Sequence, residues 1–155
     1  MKNIIITAGL FVITSCGTSS IDTAKMEALA QMVESRNYVF VAEYAYPMNG
    51  RSIYLTSEYT FAVSQDTITA YLPYFGRAYV APIDPDEGGI QFKSNNFRYD
   101  ITKKKNNWEV MIKTKSVQRN YQISLNIGTT GNATLNITSN DRQSISFNGY
   151  IDKGK

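Results

Sequence analysis

At 155 residues with a formal charge of +3, the chain is long enough for one domain with a real core. It is too weakly basic to present the cationic face of a nucleic-acid binder. It has no histidine and a single cysteine, so the usual general base is missing and only one thiol is available as a nucleophile.

The first residues read as an address rather than as structure. Met1-Lys2 carries one positive charge, and Ile4 to Ile13 is an apolar run far short of the roughly 20 residues that span a bilayer. These are the features of a secretory signal over residues 1–15. The run ends in Ile13-Thr14-Ser15-Cys16, the bacterial lipobox pattern of an aliphatic residue, two small ones and a cysteine. Cleavage before Cys16 is therefore expected, with palmitate-type acyl chains on its sulfur and nitrogen. Several chains anchor a protein stably, each buried methylene contributing about 0.8 kcal/mol. The mature chain then keeps no thiol, so disulfides and Cys-metal sites are excluded, and no cofactor is implied. Residues 16–22 form the lipidated cysteine and a tether reaching about 20 Å, and residues 23–155 form one domain. No Asp follows Cys16 and no acidic cluster lies near it, which points to the outer membrane, facing the periplasm.

Asp22 to Asn37 is the one helical segment. Met26, Leu29, Ala30 and Val33 recur with helical period, Asp22 is placed as the N-cap, and Arg36-Asn37 fit the stop. Strands follow. Tyr38, Phe40, Ala42, Tyr44 and Tyr46 alternate onto one face, with Val39, Val41 and Ala45 on the other, up to the turn dipeptide Asn49-Gly50. Tyr59, Phe61 and Val63 lead through Gln65-Asp66 into Ile68, Ala70 and Leu72. Gly88-Gly89 precedes Ile90 and Phe92. Phe97, Tyr99 and Ile101 pair with Trp108, Val110 and Ile112 across Lys103-Lys104-Lys105, which reads as a solvated hairpin tip. Tyr121 to Ile127, Ala133 to Ile137 and Ile145 to Ile151 complete about nine strands of period two. The expected fold is mainly β: an antiparallel meander closed into a barrel, or folded into a sandwich, because so long a sheet must remove its edges. The helix stands at its N-terminal side and closes one end.

The stretch Leu72-Pro73-Tyr74-Phe75-Gly76-Arg77-Ala78-Tyr79, with Gly88-Gly89-Ile90-Gln91-Phe92, Trp108 and Arg142-Gln143-Ser144-Ile145-Ser146-Phe147-Asn148-Gly149, resembles a bacterial lipoprotein family catalogued as domain-of-unknown-function family 4251. The likeness runs from about Met26 to Ile151. It implies an envelope lipoprotein of Gram-negative bacteria and brings no catalytic residues or substrate.

The central stretch is also the candidate site. Pro73 cannot donate to a ladder, so the strand is expected at an edge or bulged there. Gly76 suits a bulge or a close backbone approach. Tyr71, Tyr74, Phe75, Arg77 and Tyr79 either pack as an end of the barrel, with Arg77 stacked on Tyr74 or Tyr79, or form the floor or rim of a ligand site. Asp84, Asp86 and Glu87 could ligate calcium through oxygen, but their spacing fits a solvated turn better. Glu43, Glu58 and Asp66 are candidates for a carboxylate hydrolase, with no spacing to favour them. The expected function is therefore non-enzymatic: a membrane-anchored barrel that binds an apolar or amphipathic small molecule inside or at its mouth. The alternative is an interaction or inhibitor module acting on an envelope protein through its surface. An inner cavity distinguishes the first, and a packed interior with an exposed aromatic patch the second.

Overall fold

The computed structural model describes residues 19–79, 88–115 and 119–154. It opens with α1, Ser19–Glu34, which begins three residues before Asp22, so that residue lies inside the helix and is not its cap. The stop falls where the sequence places it. Arg36 takes a left-handed conformation with φ 55°, the Arg36 N–H bonds the Val33 carbonyl, and the Asn37 N–H bonds the Met32 carbonyl. This pair of bonds is a Schellman motif, which closes off the last helical carbonyls.

Nine strands follow: β1 Tyr38–Pro47, β2 Ile53–Val63, β3 Ile68–Pro73, β4 Gly89–Ser94, β5 Phe97–Lys103, β6 Asn107–Thr114, β7 Tyr121–Gly128, β8 Asn132–Ser139 and β9 Ile145–Lys153. They form one sheet in the order β4-β3-β2-β1-β9-β8-β7-β6-β5, and neighbours are antiparallel throughout. The first and last strands, β1 and β9, therefore zip together in the middle of the sheet, and the two sheet edges are β4 and β5. These edges are consecutive in the chain. Following the alternation of direction around the sheet, both run the same way, so Asn95-Asn96 is a kink in one long strand. Its first half pairs with β3 and its second with β6, and the Lys115 N–H reaches the Asn96 carbonyl at 3.0 Å. The result is a nearly closed barrel of a small class, in which about eight staves leave an interior just wide enough for side chains to fill.

Side chains do fill it. Phe40, Phe61, Ile68 and Leu72 meet Ile112, Ile123, Leu125, Leu135 and Phe147, all buried. The Phe92 ring from β4 stacks on Tyr121 from β7 with centroids 4.5 Å apart. Burying each such side chain contributes about 1.5–3 kcal/mol. Although Met26, the first residue of the expected stripe, is exposed instead, one end is plugged by α1 through Leu29 and Val33, with Ala30 partly buried. There the Tyr38 and Tyr99 hydroxyls share a buried hydrogen bond of 3.1 Å, the Tyr99 hydroxyl donates to the Val33 carbonyl, and the Arg36 guanidinium covers the Tyr99 ring at 4.7 Å. The lysine tip is solvated as expected, with Lys103 paired to Glu34 and Lys104 to Glu109 on the surface.

One expectation about facing is overturned. Strict alternation puts Tyr44 and Tyr46 with Tyr38, Phe40 and Ala42, but β1 carries a bulge between Ala42 and Tyr44. On the β9 side the extra residue is Glu43, since Ala42 faces Gly149 and Tyr44 faces Asn148. On the β2 side, residues 55–58 lie opposite that same glutamate. A bulge shifts the period-two pattern by one. Ala45 is therefore buried, and Tyr44 and Tyr46 turn to solvent.

Candidate functional site

At the end of the barrel opposite α1, residues 74–79 leave β3 and fold onto the β8–β9 connection. The ladder between β2 and β3 ends at the pair Thr60 and Tyr71. Pro73, in an interior strand rather than at an edge, thus sits beyond the point where β2 would need its N–H. Gly76 serves as a close approach: a Cβ there would lie 2.7 Å from the Tyr74 hydroxyl oxygen. That hydroxyl donates toward the Arg77 and Gln143 carbonyls, at 3.0 and 3.1 Å. The Tyr79 N–H bonds the Asp141 carbonyl, the Gln143 N–H bonds the Arg77 carbonyl, and Ala78 bridges to Arg142. Residues 77–79 and 141–143 therefore form a miniature ladder that closes this end.

The arginine that stacks on the central stretch is Arg142, not Arg77. Arg142 is 5% exposed. Its guanidinium lies 4.8 Å from the Tyr74 ring centroid, donates to the Gly89 carbonyl at 3.2 Å and pairs with Asp141 at 3.4 Å. Arg119 contacts the same carboxylate at 2.9 Å, and the Ser139 hydroxyl donates to it. Burial pushes the Asp141 carboxyl upward, but the Ser139 bond and the two guanidiniums outweigh it and hold the group below the usual carboxylate range. Burial raises the Tyr74 phenol, partly opposed by Arg142. With its donors on Gly89 and Asp141, Arg142 has little left for a ligand, so this cluster is a clasp that ties loop to loop.

The five residues proposed from the sequence are brought together only in part: the Tyr74 hydroxyl bonds the Arg77 carbonyl and its phenol lies close enough to that of Tyr79 for the two to interact, while Tyr71 stands apart. Tyr74 and Phe75 are half-buried against the core. Arg77 and Tyr79 are exposed at the barrel end, and among the described residues no ring or carboxylate holds the Arg77 guanidinium. Tyr71 lies on the outer face of β3, where its ring stacks on Tyr59 at 5.7 Å. Cys16, Asp84, Asp86 and Glu87 lie outside the described residues. Among the carboxylate candidates, Glu43 and Glu58 line one groove beside the bulge, while Asp66 sits in the turn between β2 and β3.

One groove lies between α1 and the end of β9, lined by Ala24, Ala28, Met32 and Ile151; others open on the outside of the sheet. Tyr44 and Tyr54 face each other across β1 and β2 with centroids 5.2 Å apart, and Tyr150 stands nearby on β9, all substantially exposed. A groove of about 520 Å³ runs from Glu43, Tyr44 and Tyr46 past Asn148 and Thr134 to Asn126 and Asn132, over Gly149, Ala133 and Gly128. A second groove shares Glu43 and continues past Tyr54, Glu58 and Tyr150. Sequence reasoning missed this face because the bulge is invisible in the alternation. The one local hint is Gly149, whose added Cβ would fall on the Val41 carbonyl oxygen. It missed Arg142 because the ring and the carbonyl that hold it, Tyr74 and the Gly89 carbonyl, are more than fifty residues away in the chain.

No curated protein matches the chain. A crystal structure of a DUF4251 family protein from Bacteroides eggerthii DSM 20697 superposes with a TM-score of 0.63 at 16% sequence identity, covering 88% of this chain and 92% of that one. At that identity the likeness is one of fold. The family description "Domain of unknown function (DUF4251)" matches residues 21–151, and the chain thus belongs to the DUF4251 family.

Proposed function

We propose that the protein is a non-enzymatic lipoprotein of the cell envelope, anchored through acyl chains on Cys16, which recognises its target with the outside of its barrel. One observation carries this reading: the interior is filled by buried side chains, while Tyr44, Tyr46, Tyr54 and Tyr150 stand exposed on one outer face. Of the two binding modes open to the sequence, a filled barrel with an aromatic outer surface fits the interaction module. Among the described residues no helix is long and apolar enough to cross a membrane, which is consistent with attachment by lipid. The lipobox and the absence of an acidic residue after Cys16 support an outer-membrane anchor facing the periplasm.

Native mass spectrometry of the full chain carrying Cys16→Ser, purified gently from an envelope fraction, tests the binding mode. A bare mass, or a bound mass lost on Tyr44→Ala with Tyr54→Ala, is the expected result. A small apolar molecule retained by that double variant and released on denaturation would return the ligand to the interior or mouth. Palmitate labelling of the wild type but not of Cys16→Ser tests the anchor.

A further inference from the structure

The face exposed by the β1 bulge has a chemistry narrower than general stickiness. Reading along the ladders, Tyr54 of β2 stands opposite Tyr44 of β1, Tyr44 opposite Asn148 of β9, Asn148 opposite Thr134 of β8, and Thr134 opposite Asn126 of β7. The row crosses five strands, four spacings of about 4.8 Å, so it is roughly 19 Å long. It begins in two exposed rings and continues in amides and a hydroxyl.

The amides are oriented. Thr134 Oγ1 donates to Asn148 Oδ1 at 3.0 Å, and Asn107 Nδ2 donates to Asn126 Oδ1 at 3.0 Å. Each amide oxygen is thus held by a neighbour, and each NH₂ keeps donors with no protein partner among the described residues. Glu43, pushed outward by the bulge, adds an acceptor-only carboxylate between the rings and the amides. Gly128, without a side chain, and the backbone of Ala133 and Gly149 line the floor of the groove. Neither groove is lined by Lys or Arg, and the second adds Glu58 and Asp152 to Glu43.

We propose that this row is a carbohydrate-binding groove that takes a neutral oligosaccharide laid across β2, β1, β9, β8 and β7; this rests on the outer-face reading above. A sugar ring is apolar on its C–H faces and ringed by hydroxyls that both donate and accept. The C–H faces match the electron-rich faces of Tyr44 and Tyr54. The hydroxyls find donors at Asn148 and Asn126 and an acceptor at Glu43. The acids, with no lining cation, repel uronate, sulfate and phosphate groups, so charged glycans and nucleic acids are poor ligands. An apolar ligand would leave the amide NH₂ groups and the carboxylate desolvated without partners, which opposes its binding.

The test uses the full chain with Cys16→Ser and isothermal titration against hexasaccharides of glucose, xylose and N-acetylglucosamine, with oligogalacturonate as the anionic control. Binding of at least one neutral chain is expected, weakened tenfold or more by Tyr44→Ala and by Asn148→Ala and unchanged by Tyr79→Ala at the barrel end, with all variants melting as the parent does. If no neutral chain binds, or if binding survives both groove variants, the carbohydrate assignment is overturned. If instead a benzophenone side chain at position 54 cross-links an envelope protein in living cells while the sugars fail, the partner is protein: the carbohydrate assignment falls and the outer-face reading stands. Ligand binding abolished by Tyr79→Ala alone would overturn both. Slow cleavage of the bound sugar, lost in Glu43→Gln and Glu58→Gln, would keep the groove and overturn the non-enzymatic reading.

Discussion

Replacing Arg142 by Met is the sharpest test of how the barrel is held shut at the end away from α1. The variant keeps a long apolar stem and deletes the charge. It removes a charged hydrogen bond to the buried Gly89 carbonyl, a type of bond that contributes about 1.5–3 kcal/mol. It also removes the contact with the Tyr74 ring, about 0.5–2 kcal/mol. Asp141 keeps Ser139 and Arg119, so it is not left as an unpaired buried charge, which would cost about 3–5 kcal/mol by itself. These terms overlap, and Met recovers some packing, so the net loss should be about 3 kcal/mol, or roughly 6–12 °C in melting temperature for a domain of this size. Urea unfolding followed through Trp108, the only tryptophan of the chain and 3% exposed, measures it. The pH dependence supplies a second readout. The folded carboxyl of Asp141 sits below its unfolded value of 3.8, so its contribution is present above that pH and lost as pH falls through the folded value. Arg142→Met removes one of the two cations that depress it, so the gap between variant and wild type should narrow below about pH 4. Arg77→Met at an exposed site should stay within about 0.5 kcal/mol. A loss under about 1 kcal/mol for Arg142→Met, or an equal loss for Arg77→Met, refutes the clasp.

Three further outcomes are expected. Because Arg36 holds a left-handed backbone at the end of α1, Arg36→Gly should be more stable than Arg36→Ala by about 1 kcal/mol; both lose the contact with Tyr99, so the difference in urea midpoints isolates the backbone, and equal midpoints would refute the Schellman assignment. Burial raises the phenols of Tyr38 and Tyr99 above 10.0, so the stability tied to their protonated forms is complete below pH 10 and lost as pH rises through the folded values. Alkaline difference absorbance should show these two ionising only with unfolding, and a gradual titration of all tyrosines in the folded protein would count against the buried pair. Gly149→Ala drives a methyl group onto the Val41 carbonyl oxygen and should cost about 1–3 kcal/mol or more, read as a lower melting temperature; an unchanged one would show that β1 and β9 are further apart than described.

The architecture was largely legible because each strand carries its own period-two signal and each turn its own residues. Ile123, Leu125 and Ile127 leave little choice of face, and the pairing of β5 with β6 follows from a hairpin of a few residues. The helix was legible from Leu29 and Val33, but its start was not, since Ser19 to Ile21 bear no strong breaker and the capping propensity of Asp22 is a local preference that helix extension overrode. The clasp of Arg142, Asp141 and Tyr74 was not legible at all. Arg142 and Asp141 are neighbours in the chain, but Tyr74 and Gly89 lie more than fifty residues away, and what unites them is the closure of the barrel.

The misassigned tyrosines show how much turns on one residue. With unbroken alternation, Tyr44 and Tyr46 would join Tyr38 and Phe40 inside, and an inner aromatic lining would be the natural place for a ligand. A barrel of about eight staves has no room for them, because Phe61, Phe147 and Leu135 are already fully buried in it. Glu43 resolves the conflict. Set opposite no single partner on β9, it moves every later residue of β1 by one position, so small Ala45 turns inward and the rings turn outward. Gly149 on β9 leaves room for the bulged strand, since a side chain there would meet the Val41 carbonyl. The same insertion thus relieves the core, exposes the aromatic pair and sets Glu43 in the groove. Deleting Glu43 should bring all three back together: Tyr44 less accessible to iodination or nitration, a destabilised and overfilled core, and no binding at the outer face. A deletion variant as stable as the parent, with Tyr44 still reactive, would show that the facing of β1 is set by something other than the bulge.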